Sequence, residues 1–199
     1  MPVKELLSLL GMFLAIYCLI PYYKGIFART NKPHIYTWAI FTIIAGIAAA
    51  VQFAEDAGPG KWVMALNTFM CLTIVLLSLR YGEKDIRRSD GVSLALALTI
   101  IPVWLLTNNP LWAVLMAMGI ELFACYPTLR KSWSKPHEEV AQTWFLSSFM
   151  FIVSVMALEQ ISFVTAAYPL FVAMINFLVF FILLWRRRVM AARPGGAQT

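Results

Sequence analysis

Glu121 stands out as a group able to do chemistry. It lies about twelve residues into a long apolar run and six before Pro127. An ionised carboxylate is costly in an apolar medium, so it must be protonated, paired or hydrated. No Lys or Arg lies deep enough in any apolar run to pair with it. Two chemistries suit such a group: cycling a proton, or holding a cationic or hydroxyl-bearing solute. Asn67 and Asn176 are the companion candidates, 29 residues after Trp38 and 32 after Trp144. A buried amide can glue two helices for about 0.6 kcal/mol. A pair of amides at similar places in two halves of a chain points instead to a shared central binding site. Gln52 and Gln160 also correspond, near the outer ends of their runs with acids close by (Glu55-Asp56 and Glu159), and read equally as pocket walls or as solvated residues at the membrane surface.

These residues belong to a duplicated pattern, and internal repeats are the first thing to seek in a sequence. Pro21 and Pro127 each sit near the end of an apolar run. A basic loop with Lys32-Pro33-His34 or Lys135-Pro136-His137 follows, and then Thr37-Trp38 or Thr143-Trp144 opens the next run. Pro21 to Pro127 and Trp38 to Trp144 are both separations of 106 residues. Pro21 and Pro127 are read as bends and the two tryptophans as interface residues near an inner gate.

The chain has 199 residues, 61% apolar and only 13% charged, where a soluble domain carries about 25% charge. Much of its surface must therefore face lipid. Seven apolar runs can be marked, at 5–26, 35–54, 61–80, 91–107, 109–129, 139–160 and 163–185, each near the ~20 residues that span a bilayer core. The fourth is interrupted by Pro102. Backbone polar groups in lipid need internal partners, so the runs are expected to be helices; the alternating ten-residue pattern of a membrane β-barrel is absent. The first run lacks a small-residue cleavage site and is expected to be retained.

Fourteen of the sixteen Lys and Arg fall after the first, third, fifth and seventh runs, leaving only Lys4 and Lys61 on the other side. The positive-inside rule then places the N-terminus out and the C-terminus in. The expected architecture is an all-α membrane protein of seven transmembrane helices in a 3+1+3 arrangement. A first repeat covers 1–88, a linker helix 89–108, a second parallel repeat 109–188 and a disordered cytoplasmic tail 189–199. Clustering of the charges at run ends also argues against nucleic acid as the target of the net charge of +6.

Cys18, Cys71 and Cys125 lie within apolar runs without metal-ligand spacing and read as buried small hydrophobes. His34 and His137 lack a Cys or fixed carboxylate set, so no metal site is expected. The Lys-Pro-His segments read as helix starts, because Pro33 and Pro136 break the chain before the next run. No hydrolytic triad, phosphate loop or cofactor motif is present. Neither an enzyme nor a cofactor is expected.

The arrangement resembles the SWEET and PQ-loop transporter superfamily over about residues 1–188. The chain keeps the prolines at 21 and 127, the basic loops and the Thr-Trp pairs, and puts Tyr22 and Thr128 where that pattern has Gln. Members of the superfamily hold solute with an Asn on the third helix of each repeat, and Asn67 and Asn176 match those positions. The sugar-binding members also carry prolines inside the second helix of each repeat, which are missing here, and often a pocket aromatic where this chain has Val51-Gln52 or Gln160. The resemblance thus implies alternating-access transport of a small polar metabolite, with no particular solute. Facilitated diffusion and proton coupling through Glu121 both stay open, as do a receptor or sorting role, a non-transporting subunit and a homo-oligomer. A bacterial inner membrane is the expected location.

Overall fold

A computed structural model of the chain describes residues 3–30, 32–82, 88–107, 109–134 and 136–192. Their regular elements are all helical. The α-helices are α1 (Val3–Phe27), α2 (Ile35–Ala54), α3 (Lys61–Tyr81), α4 (Arg88–Leu98), α5 (Ile100–Thr107), α6 (Pro110–Ser134), α7 (Ala141–Met156) and α8 (Phe163–Ala191), with a 3-10 turn at Pro136–Glu138. Four of these, α1, α2, α3 and α8, are long and apolar enough to cross a membrane, while α6 and α7 carry shorter apolar stretches. Outward-facing apolar side chains are plentiful, with Leu106 85% and Phe123 79% exposed. Such a surface belongs to a membrane-embedded chain.

Four runs differ from the sequence expectation, the fifth by staying helical to Ser134, five residues past 129. The fourth run is two helices, parted at Thr99. Pro102 cannot donate to the Leu98 carbonyl and its ring crowds that oxygen. The chain therefore tightens at Thr99, whose N–H and hydroxyl both donate to the Leu96 carbonyl. The sixth run ends at Met156, four residues short of the expected 160. Ala157, Leu158 and Glu159 instead form a loop bonded to another loop, as described below. The seventh continues to Ala191, so 189–191 are helical rather than part of a tail; the remaining tail, 193–199, lies outside the described residues. The end of α8 is tied down by its arginines. Arg186 Nε donates to the Trp133 carbonyl at 2.7 Å, and Arg187 donates to the carbonyls of Pro136 and Glu139 at 3.0 and 2.6 Å.

Cross-helix hydrogen bonds fix the directions. Lys4 Nζ donates to the Met156 carbonyl and Ser8 Oγ to the Pro59 carbonyl, both at 2.7 Å, so α1 begins where α7 ends and α3 begins. Gln52 Nε2 donates to the Thr165 carbonyl at 2.8 Å, so α2 ends where α8 begins. The Arg186–Trp133 bond brings the ends of α6 and α8 together. Thus α1, α3, α6 and α8 run one way, and α2 and α7 return. One end of the bundle holds Glu5, Glu55, Asp56 and Glu159; the other holds Lys24, Arg29, Arg80 and Arg186–Arg188. These are called the acidic and basic ends.

Helix α3 packs on both α1 and α2, and α8 packs on both α6 and α7. Across the middle, α1 lies against α7, and α2 against α6. Gly11 lets α1 lie close to both neighbours: a Cβ there would stand 2.9 Å from Val63 Cγ2 and 3.5 Å from Val153 Cγ1. Close approach through small residues is how helices pack where lipid removes the hydrophobic drive between them. Pro21 does not end α1, which continues to Phe27 with the ring exposed. Helix α6 likewise continues past position 127 to Ser134, although the ring of Pro127 lies outside the described side chains.

Candidate functional site

Glu121 is 4% exposed on α6. Its carboxyl meets two side chains: Tyr168 Oη of α8 donates to Oε2 at 3.3 Å, and Cys125 Sγ, one turn along α6, donates to Oε1 at 3.4 Å. The Tyr168 contact is long for a hydroxyl bond to a charged acceptor, which commonly closes to about 2.5–2.7 Å, and the thiol is a weak donor. Among the described residues no cation pairs with it. Cys71 of α3 lies within electrostatic reach of this cluster. A little further along, Ser147 Oγ of α7 donates to Cys18 Sγ of α1 at 3.5 Å. The three cysteines are free and buried, but two of them sit in polar contacts rather than serving only as packing. A belt of polar atoms from α1, α3, α6, α7 and α8 therefore crosses the middle of the bundle.

Asn67 and Asn176 lie on inward stripes of their helices. On α3 the buried residues Val63, Met64, Met70, Cys71 and Ile74 share the face of Asn67, which is itself only half-buried. On α8 the stripe runs Tyr168, Val172, Asn176 and Val179, and Asn176 is 6% exposed. Asn67 stands one turn from Cys71, and Asn176 two turns beyond Tyr168 on the same face. Neither amide has a hydrogen-bond partner among the described residues. Under the 106-residue spacing Asn176 lies three residues past the counterpart of Asn67, a rise of about 4.5 Å. The pair is staggered along the bundle.

The two glutamines part company. Gln52 is 1% exposed and bridges α2 to α8 through its bond to the Thr165 carbonyl, while its Oε1 has no partner among the described residues. Gln160 is exposed in the α7–α8 loop, with its backbone carbonyl accepting from Thr165 Oγ1. It does not wall a pocket with Gln52. The tryptophans also differ. Trp38 Nε1 donates to Tyr22 Oη at 2.9 Å, with the rings 5.0 Å apart, so the tyrosine after Pro21 holds the start of α2. Trp144 Nε1 donates to Glu139 at 3.4 Å, and the residue packs with α6 and α8.

At the acidic end the two halves are sealed together. The α2–α3 and α7–α8 loops bond through their backbones: Glu159 N–H donates to the Ala57 carbonyl at 2.8 Å, and Gly60 N–H to the Ala157 carbonyl at 3.2 Å. Ser154 Oγ donates to the Gly60 carbonyl at 3.4 Å. Beneath these bonds Ala57, Val155, Leu158 and Ala166 form an apolar cluster drawn from both halves. Two glycines permit the approach. Gly58 has φ +87°, and a Cβ there would lie 2.8 Å from Glu159 N; at Gly60 it would meet Leu158 Cδ2 at 2.7 Å. Lys61 pairs with Asp56 at 2.7 Å beside the seal, and this ammonium holds the Asp56 carboxyl below its ordinary range. An open cleft of about 450 Å³, bounded by Glu5, Ser8, Asp56, Lys61, Trp62 and Glu159, lies outside it.

The basic end is built differently. The apolar cluster of Ala141, Val179 and Leu183 with Leu129, Trp144 and Phe180 draws on α6, α7 and α8 alone. Leu158 is fully buried in the acidic-end seal, and truncating such a side chain costs about 2–5 kcal/mol. Leu158→Ala is therefore expected to raise amide hydrogen exchange at Gly60 and Glu159 at least tenfold while the helix amides of α1 and α8 keep their protection. Uniform loss of protection along the chain would contradict that placement.

No family model, curated protein or solved structure matches the chain.

Tyr168, Cys125 and the glycine seal are additions that sequence reasoning did not reach. A tyrosine immediately before Pro169, inside an otherwise apolar run, was the available signal for the first. The Gly58-Pro59-Gly60 turn between acids was the signal for the last.

Proposed function

We propose that this chain is a membrane carrier for a small polar metabolite, working by alternating access between two parallel three-helix units, α1–α3 and α6–α8. The broken pair α4–α5 then serves as the crossing that lets both units share one orientation. In this reading the acidic end faces outward and the basic end faces the cytoplasm. The packing pattern supports the duplication. The third helix of each unit lies between the first two, and exchanging the units turns the α1–α7 contact into the α6–α2 contact. Two such units in parallel orientation are what the SWEET and PQ-loop resemblance implies.

The observation that carries the proposal is the asymmetry of closure on either side of a mid-bundle acid and two amides. Among the described residues, backbone bonds and an apolar cluster join the halves at the acidic end, whereas the cluster of Ala141, Val179 and Leu183 at the basic end draws on one half. Between the ends sit Glu121 and two amides with no partner of their own among the described residues. A rigid structural bundle gains little from an acid and amides placed at this depth, where polar side chains are expensive and mark solute pathways. A carrier closed toward one side needs them for its solute.

A thermal-shift screen of sugars, nucleosides, vitamins and amino acids against the detergent-purified chain tests this, followed by uptake of any hit into vesicles containing only this protein. A hit that accumulates to equilibrium in those vesicles is the expected result. Binding without uptake would instead make the same pocket a receptor site. Co-purification of a stoichiometric membrane partner, with no uptake by the isolated chain, would make the chain a subunit.

A further inference from the structure

The surroundings of Glu121 narrow the class of solute, given the carrier reading above. The carboxyl has two oxygens, and each meets one neutral donor at 3.3 or 3.4 Å. One long hydroxyl contact and one weak thiol donor are too little to stabilise a bare negative charge in an apolar interior. The groups that face it are known from each packed element. Cys125 lies on its own helix, Tyr168 on α8 and Cys71, within electrostatic reach, on α3. Helices α2, α4 and α5 also pack on α6, and among their described side chains none at its depth is titratable. All described lysines and arginines stand at the two ends of the bundle. The site thus holds an acid with no fixed counter-charge among the described residues, and the amides of Asn67 and Asn176 lie on the inward stripes of α3 and α8.

A carrier must carry that carboxyl through its closed state on every cycle. It can do so only when the charge is covered, and two things can cover it: a proton, or a positive charge on the solute. A neutral sugar or nucleoside covers nothing. We propose that the solute is a small organic cation with an ammonium or guanidinium head, and that it takes the place of a proton on Glu121. As the cation binds, the Glu121 O–H bond breaks, the proton leaves to water on the open side, and one or two N–H···O contacts form to the carboxylate. On the other side the proton returns as the cation departs. One positive charge moves each way, so the exchange is one-for-one and electrically neutral. Asn67 and Asn176 then hold the uncharged part of the solute, one toward each end of the site.

Methylguanidinium and its neutral analogue methylurea make the test. The first stays charged at all working pH values and does not cross lipid as a free base; the second matches its shape without charge. Calorimetry on the detergent-purified full chain, repeated in buffers of different ionisation enthalpy, is expected to show one proton released for each methylguanidinium bound. In vesicles with an acidic interior, external methylguanidinium should discharge the pH gradient at a rate unaffected by membrane potential. Methylurea should do neither. Glu121→Gln should lose at least tenfold in affinity and all proton release. Glu121→Asp, which keeps the charge, should retain the release and so guards against misfolding as the explanation. Binding without proton release, equal binding of methylurea, or no binding of methylguanidinium overturns the assignment. Should a neutral solute from the screen be carried while methylguanidinium is not, the cation assignment falls and the carrier stands. Should methylguanidinium bind with proton release yet never cross, the carrier falls and the cation site stands.

Discussion

Gly60→Val is expected to hold the acidic end open and to abolish transport while leaving the helices folded. The position has no room for a side chain. A Cβ at Gly60 would meet Leu158 Cδ2 at 2.7 Å and Leu158 N at 3.0 Å, and it would press on the Ser154 carbonyl. Two of these are backbone atoms, which cannot turn aside as a flexible side chain can. Valine adds two methyl groups to that collision, and overpacking of this kind costs about 1–3 kcal/mol or more. The penalty falls only on the state in which the loops meet. It should shift the balance of states roughly 5- to 150-fold toward the opened one. Hydrogen exchange at residues 57–62 and 157–162 checks it directly: protection of the Glu159 and Gly60 amides, both bonded across the seal, should vanish while the middle of α8 stays protected. Uptake in vesicles of the solute chosen by the thermal-shift screen should fall at least tenfold. Wild-type exchange in those loops, or wild-type uptake, would show that the seal does not open during the cycle. Gly60→Ala places one methyl in the same spot and should lie between the two.

The seal shows where sequence reading stops. The helices were legible because lipid permits few structures: a run of twenty apolar residues between charges has hardly any other fate. Glu121 was legible for the same reason, since a carboxyl in such a run is out of place. Its partner Tyr168 was not, because it lies 47 residues away and a tyrosine in an apolar helix reads equally well as packing. The loop pairing was hidden more deeply. It is made by backbone N–H and carbonyl groups, which every residue carries, so Ala57, Ala157 and Glu159 give no sign in their letters. Leu158 misleads in the same way, since it lengthens the apolar run to 160 on paper, yet in the fold it leaves the helix to fill a cluster between two loops. That departure also separates Gln160 from Gln52. Their spacing from the tryptophans matches, but only α2 remains helical as far as its glutamine. Pro102 gave a clearer warning, and the fourth run breaks within three residues of it.

Removing the two amides should separate a binding role from a structural one more cleanly than any other pair of changes. If Asn67 and Asn176 glue helices, each alanine variant loses a bond worth about 0.6 kcal/mol and melts lower in the absence of solute. The structure gives neither amide a hydrogen-bond partner among the described residues, so the melting temperature without solute should be unchanged in Asn67→Ala and in Asn176→Ala. The loss should appear when solute is added. A solute group left without its partner in a closed site costs about 1–3 kcal/mol, and each 1.4 kcal/mol is tenfold in affinity. Each single variant should therefore weaken binding roughly 5- to 150-fold and shrink the solute-induced rise in melting temperature. The stagger adds a further expectation. Asn176 stands toward the basic end and Asn67 toward the acidic seal, so shortening the solute at one terminus should remove the penalty of one alanine and not of the other. Equal affinity in both variants and the parent would take the amides out of the site and leave Glu121 as its centre alone. A lowered melting temperature without solute would restore the view of them as bonds between helices.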